Sequence, residues 1–159
     1  MHWKNHRGFS LVELAVVLVV AGMILAIGAP AMIRYLNGYK VRNTAHKLAD
    51  EMRMARQRAV ANNTINWVYT QWGPNATQYW TGVQTQNGPG GTWGSTQWTG
   101  PLDLPDQMKQ VSANFNSVQY VFFKPNGLAS SAGSVRVCSP SASVRDTSTI
   151  NVDFSGSVW

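Results

Sequence analysis

Little in this sequence is charged, and almost nothing is cysteine. Asp, Glu, Lys and Arg make up 13% of its 159 residues, about half the share of an ordinary globular domain. Cys138 stands alone, so no disulfide can close within the chain, and it reads as a small buried strand residue. His2 and His6 lie close to the N-terminus and His46 is isolated, so no histidine-based catalytic or metal cluster is suggested. The acids are few and scattered, and no glycine-rich loop carries a lysine at phosphate-binding spacing. These scarcities argue against an enzyme, and they call for no cofactor and no metal.

What the chain has instead is one long apolar run. It is preceded by a basic lead-in, MHWKNHR, that holds Lys4 and Arg7 and no acid. From Leu14 to Ile33 there follow 20 residues without a charge. As a helix rising about 1.5 Å per residue this covers roughly 30 Å, the thickness of a bilayer's hydrocarbon core. Glu13 stands just inside the run, where an unpaired carboxylate costs roughly several kcal/mol. A secretory signal would place a cleavage site near Ala26-Ile27-Gly28-Ala29, but Glu13 argues against it. A plain anchor, with Lys4 and Arg7 on the cytoplasmic side, explains the length and leaves Glu13 without a purpose.

Gly8-Phe9-Ser10-Leu11-Val12-Glu13 resembles the class III signal of type IV pilins and pseudopilins. The resemblance implies a prepilin peptidase that cuts between Gly8 and Phe9 and methylates the new N-terminus. Glu13 then becomes the fifth residue of a 151-residue mature chain, and the loss of Lys4 and Arg7 lowers the formal charge from +6 to +4. Gly22 and Pro30 fall where that family commonly has a helix-loosening glycine and a proline. In such a filament Glu13 pairs with the N-terminal ammonium of a neighbouring subunit and fixes axial register. Pro30 removes a backbone donor and is expected to kink or break the helix, while Gly22 weakens it by about 1 kcal/mol. The segment between them is where the rod would stretch or unwind. The implied partners are other pilins or pseudopilins, the prepilin peptidase and an inner-membrane assembly platform. The implied location is the bacterial inner membrane, crossed once with the C-terminal domain in the periplasm, and then the filament.

From Arg34 onward the pattern becomes that of an amphipathic helix. Val41, Ala45, Leu48, Met52, Ala55 and Ala59 recur at alternating steps of four and three and draw one stripe of mostly small residues. A sheet can lie close against such a stripe. Lys40, Arg42, Lys47, Asp50, Glu51, Arg53, Arg56 and Arg58 occupy the other faces, as a solvated surface or as a stripe for nucleic acid. Asn62-Asn63 ends the helix, since asparagine competes with the helical backbone.

Leu48 to Asn63, LADEMRMARQRAVANN, has a narrower likeness. It resembles the end of the long helix in GspH/FimT-type minor pilins and pseudopilins, where an Ala-Arg pair precedes a small residue, an apolar residue and asparagines. Phe123-Lys124-Pro125-Asn126-Gly127-Leu128-Ala129-Ser130 is similar to that family's turn before a strand ending near a cysteine. Residues 64 to 115 match no motif of the family.

No charged residue lies between Arg58 and Asp103, yet Trp67, Trp72, Trp80, Trp93 and Trp98 all do. Ile65 to Thr70 and Gln78 to Gln84 read as strands joined by a turn at Gly73-Pro74-Asn75. Asn87-Gly88-Pro89-Gly90-Gly91 reads as a loop, and Thr92 to Thr99 as a short edge strand. The tryptophans either cap a small sheet over the helix or, with Trp159, form a neutral aromatic surface for a neighbouring subunit, a secreted protein or a surface glycan. Further on, Val118 to Lys124, Ser134 to Cys138 and Thr149 to Phe154 read as strands. Ser139 to Ser148 reads as a polar loop, and Pro125-Asn126-Gly127 as a turn whose glycine takes positive φ.

The fold class is α+β: a long N-terminal helix packed against a C-terminal antiparallel sheet. Its parts are a leader over 1–8, a membrane-spanning or filament-core helix over 9–33, an amphipathic half over 34–62 and a β-rich globular domain over 63–159. The mild basic excess is compatible with nucleic acid. Some FimT-like pilins bind DNA through a Gly-Arg-x-Arg pattern near the C-terminus. Here Gly156-Ser157-Val158-Trp159 keeps the glycine and neither arginine, which removes phosphate contacts. Lys109, Lys124, Arg136 and Arg145 remain as a different DNA-contact patch, and Trp159 as a ring for stacking on a base or packing on the sheet.

Overall fold

The structure is a computed structural model and describes residues 10–70, 76–88, 91–105, 108–139 and 147–159. One helix, α1 (Leu11–Asn62), is followed by β1 (Ile65–Thr70), β2 (Gln78–Gln84), β3 (Gln97–Asp103), β4 (Lys109–Asn114), β5 (Tyr120–Phe123), β6 (Gly133–Cys138) and β7 (Thr147–Val152).

Both ends of α1 are made by local chemistry. At the start, the Val12 N–H donates to Ser10 Oγ at 3.3 Å and the Ser10 N–H donates to Glu13 Oε2 at 3.0 Å. This reciprocal pair is a Ser-x-x-Glu capping box, and it satisfies two amides that a helix leaves without partners. At the end, Asn63 takes the left-handed conformation at φ 53° and the Thr64 N–H returns to the Ala59 carbonyl at 3.1 Å. That is a Schellman closure with asparagine where glycine is more usual. Between these ends the helix is unbroken. It runs through Gly22 and through Pro30, so the break expected at the proline is absent. Pro30 still lacks the N–H that would bond the Ala26 carbonyl, and its neighbours hold the helix without that bond.

The chain divides into two units, Met1–Leu36 and Asn37–Trp159. In the first, every described residue from Ser10 to Leu36 is exposed, including Leu11 at 85% and Ile27 at 79%. The second contains the core. Val41, Ala45, Leu48, Met52, Ala55 and Ala59 are all buried, with Thr44 and Ala49 beside them, so the sequence stripe is the packed face of the helix.

Two antiparallel sheets rather than one cover that stripe, with orders β3-β2-β1-β5 and β4-β6-β7. Period-2 alternation sends Val68 of β1 and Val121 and Phe123 of β5 into the core from the first sheet. Val135 and Val137 of β6 and Ile150 and Val152 of β7 enter it from the second. Phe115 is fully buried just beyond β4. β1 and β2 take the bounds read from sequence, whereas the edge strand expected over Thr92 to Thr99 forms at Gln97–Asp103. Pro101 is tolerated there because β3 is an edge. The turn expected at Gly73-Pro74-Asn75 lies outside the described residues.

The loops are built on positive-φ residues. Asn116 (φ 55°) and Ser117 (φ 69°) make a two-residue turn in which Phe115 and Val118 exchange both backbone bonds. Gly127 adopts φ 79° as expected, and its N–H donates to the Lys124 carbonyl at 2.8 Å. After β7 the chain turns at Asp153–Ser157 and returns alongside the strand, where Asn151 and Trp159 exchange backbone bonds of 2.8 and 3.1 Å.

The arginines of the helix are not merely solvated. Arg53 donates to the Val158 carbonyl through Nη2 at 2.9 Å and to Asp50 at 2.7 Å. Arg56 Nε donates to the Gly127 carbonyl at 3.0 Å. Two cations thus pin the β5–β6 turn and the C-terminal tail to the helix.

Asp153 organises that tail. Its carboxylate accepts from the Ser155 hydroxyl and from the Ser157 N–H. The Ser155 bond, against the opposing cost of burial and with help from backbone donors and the Arg56 charge, holds its pKa below the usual aspartate value. A folded-state pKa that is lowered contributes stability above the unfolded value near 4, and that contribution is lost as pH falls through the folded value. Amide exchange at Ser157 is therefore expected to accelerate below about pH 4 relative to β6. Asp153→Asn should remove this pH dependence.

Candidate functional site

The first candidate site is the head of α1. Glu13 is exposed, and its carboxylate is engaged by the Ser10 amide of its own chain. The expected processing residues Gly8 and Phe9 lie outside the described residues. Gly22 and Pro30 sit on the exposed apolar length of the helix, and nothing comes within 4 Å of a Cβ placed at Gly22. By length and composition this helix suffices to cross a membrane.

The second candidate is aromatic. On β1 the inward residues are Asn66, Val68 and Thr70, so Trp67 and Tyr69 point to the opposite face of the sheet. Register carries the pattern across: Tyr69 pairs with Trp80 and with Tyr120, and Trp67 with Phe122 and with Gly82, which itself pairs with Trp98. Trp67, Trp80 and Trp98 therefore cover the sheet face opposite the one that buries Val68 and Val121, because strand alternation leaves their positions on that other side.

The rings form one cluster. Trp67 lies 4.4 Å from Phe122, 5.2 Å from Tyr120 and 6.2 Å from Trp98, between ring centres. Tyr69 stands edge-on to Trp80 at 5.5 Å and to Trp98 at 6.3 Å. Each such pair contributes about 0.5–1.5 kcal/mol beyond area burial. Two glycines make room for the rings. A Cβ at Gly82 would come within 2.9 Å of the Trp98 ring, and one at Gly100 within 2.8 Å of Trp80. The Trp67 indole N–H is enclosed without an acceptor. Tyr69, Trp80 and Trp98 line an open cleft of about 260 Å³, and Trp98 is 51% exposed.

Of the six tryptophans singled out in the sequence, Trp67, Trp80 and Trp98 are thus brought together. Trp93 sits apart in the β2–β3 loop, bridged to Gln86, and Trp159 lies beside Asn151 with 60% of its surface exposed. Trp72 lies outside the described residues. Tyr69, Tyr120 and Phe122 belong to the cluster and were missed. The two-residue spacing of aromatics in Trp67-Val68-Tyr69 and Tyr120-Val121-Phe122 was the signal that could have found them.

Of the cations expected to contact DNA, Lys109 and Arg136 share a sheet face and Lys124 lies elsewhere. Lys109 pairs in register with Cys138, and Arg136 lies two residues before Cys138, which places both on the outer face of the three-stranded sheet. Lys124 begins the β5–β6 turn at the edge of the other sheet, and Arg145 lies outside the described residues. Burial raises the Cys138 thiol above its ordinary value against the opposing Lys109 charge. Gly156 is not the start of a basic tail but a packing position against Arg56.

A membrane-length apolar helix that continues as an amphipathic helix beneath antiparallel sheets is the architecture of a type IV pilin-like subunit. The chain belongs to the GspH family: the model described as "Type II transport protein GspH" matches residues 44–156, and the prokaryotic N-terminal methylation motif matches residues 3–29. The fold is similar to the type IV minor pilin FimU of Pseudomonas aeruginosa PAO1. One crystal form aligns over 76% of this chain and 87% of that one at 14% identity, with a TM-score of 0.54. A second crystal form covers 74% and 90% at 15% identity, with a TM-score of 0.49. No curated protein matches the chain. It is accordingly a subunit of the minor pilin or pseudopilin class, with an apolar N-terminal anchor.

Proposed function

We propose that the chain is a structural, non-catalytic filament subunit. It enters the bacterial inner membrane through α1 with its globular unit in the periplasm, is cut between Gly8 and Phe9 by a prepilin peptidase, and is methylated at Phe9. An assembly platform then builds it, with other pilins or pseudopilins, into a type IV pilus or a type II secretion pseudopilus. The observation that carries this reading is the exposed apolar length of α1 with a carboxylate at its head. Such a surface needs lipid or copies of similar helices around it, and Glu13 needs a cation once water is excluded. Gly22 and Pro30 mark the stretch we assign to loosening during assembly.

The test is the mature N-terminus. Mass spectrometry of the chain recovered from membranes is expected to show N-methylated Phe9, and Gly8→Ala to retain the full leader. Recovery of mature Phe9 from the Gly8→Ala variant would count against the processing assigned here.

A further inference from the structure

We propose that the cleft between Tyr69, Trp80 and Trp98 binds a neutral polysaccharide by stacking of sugar rings. The cleft is built rather than incidental. Gly82 and Gly100 weaken the strands they occupy, and each clears the space that a tryptophan ring fills. Tyr69 stands at 77° to Trp98 and 64° to Trp80, so its ring forms a wall between two others that are already held in place. Trp98 keeps half its surface free. A pre-set ring with an open surface is a stacking platform that loses little freedom on binding.

The charge pattern selects the occupant. β1, β2 and the length of β3 up to Leu102 carry no charged side chain. The charge carried by the strands at the β2–β3 end is Asp103, which accepts from Gln78 Nε2 at 2.9 Å and lines a groove with Lys47, Asp50 and Glu51 of α1. Lys124 lies beyond β5, at the opposite edge of the sheet. A nucleic acid stacked here would bring phosphates to a cleft whose strands offer no cation and whose end carries an acid. An anionic glycan meets the same objection. A neutral saccharide does not, since its apolar ring faces match indole and its hydroxyls match uncharged donors and acceptors. Uncharged polar groups share this face: the Tyr69 hydroxyl, which donates to Gln119 Oε1 at 3.1 Å, and the Gln78 amide on the same side of β2 as Trp80. This inference does not rest on the assembly reading, because it uses residues of the globular unit alone.

The full chain in a sugar-free detergent is applied to immobilised dextran, soluble starch and chitin oligosaccharides, and tryptophan fluorescence is followed in titrations with the soluble forms. Wild type is expected to bind at least one neutral glycan with little dependence on salt. Trp98→Ala and Trp98→Gln should bind at least about tenfold more weakly, Trp98→Tyr should retain binding, and Trp159→Ala should match wild type. Trp98→Ala should still enter filaments. No retention on any neutral glycan overturns the proposal, as does equal binding by both loss variants. Binding confined to anionic polymers and abolished by salt overturns it too. So does loss of filament entry in Trp98→Ala with no wild-type glycan binding, which would mark the face as a subunit contact.

Discussion

Glu13→Ala is expected to leave leader cleavage largely intact and to reduce recovery of the subunit in purified filaments by a factor on the order of 10² to 10³. The magnitude follows from the proposed pairing. Removing one partner of a buried ion pair leaves the other charge uncompensated, at a cost of about 3–5 kcal/mol. The structure adds a second effect, because Glu13 Oε2 also accepts from the Ser10 amide, and losing that cap costs about 1 kcal/mol. Glu13→Gln separates the two. Glutamine can still close the capping box but offers no charge to a neighbouring ammonium. Immunoblots of sheared filaments against whole membranes would read the outcome. If glutamine restores incorporation, the cap and not the charge is what assembly needs.

The second large effect is expected at Gly156. Its φ of 78° is a conformation L side chains rarely adopt, and an added Cβ would press on the Gly127 carbonyl and lie 2.9 Å from Arg56 Nε. The Arg56–Gly127 bond at 3.0 Å fills the same space. Gly156→Ala must therefore strain the backbone and displace a charge-assisted bond together, for about 2–4 kcal/mol. Near-UV circular dichroism of thermal unfolding should show a fall in Tm on the order of 10 °C. Gly88→Ala is the contrast: its φ is 84°, but nothing lies within 4 Å of the added atom, so only the backbone term of about 1 kcal/mol remains. Equal losses for the two variants would show that the Arg56 latch contributes nothing.

The helix was legible because its signals are local. The stripe from Val41 to Ala59 needs only a period of 3.6, the stop at Asn62-Asn63 only the competition of asparagine with the helical backbone, and Gly127 only a turn. The bounds of β1 and β2 follow from aromatic and β-branched runs with turn residues between them. β4 was not legible. Lys109 to Asn114 is largely polar, with serine, glutamine and asparagine at positions where strand propensity is low, and it is a strand because β6 pairs with it. The division into two sheets was hidden for the same reason, since it depends on which strands pair at long range. At Pro30 the helix continues without a break, because the cost of a proline is a local rule and the surrounding helix overrides it. Arg53 and Arg56 read as surface because their partners, two carbonyl oxygens of distant loops, leave no trace in side-chain chemistry. At the sites, the aromatic composition was plain but its side of the sheet was not. That side depends on register, which a single unpaired strand does not determine.

The buried cluster of the globular unit begins at Val41 and includes no described residue before it. The described residues from Ser10 to Leu36 therefore contribute no side chain to that cluster. On the assembly reading proposed above, passage from lipid tails to a bundle of like helices changes the surroundings of the apolar length of α1, and the buried cluster need not open for it.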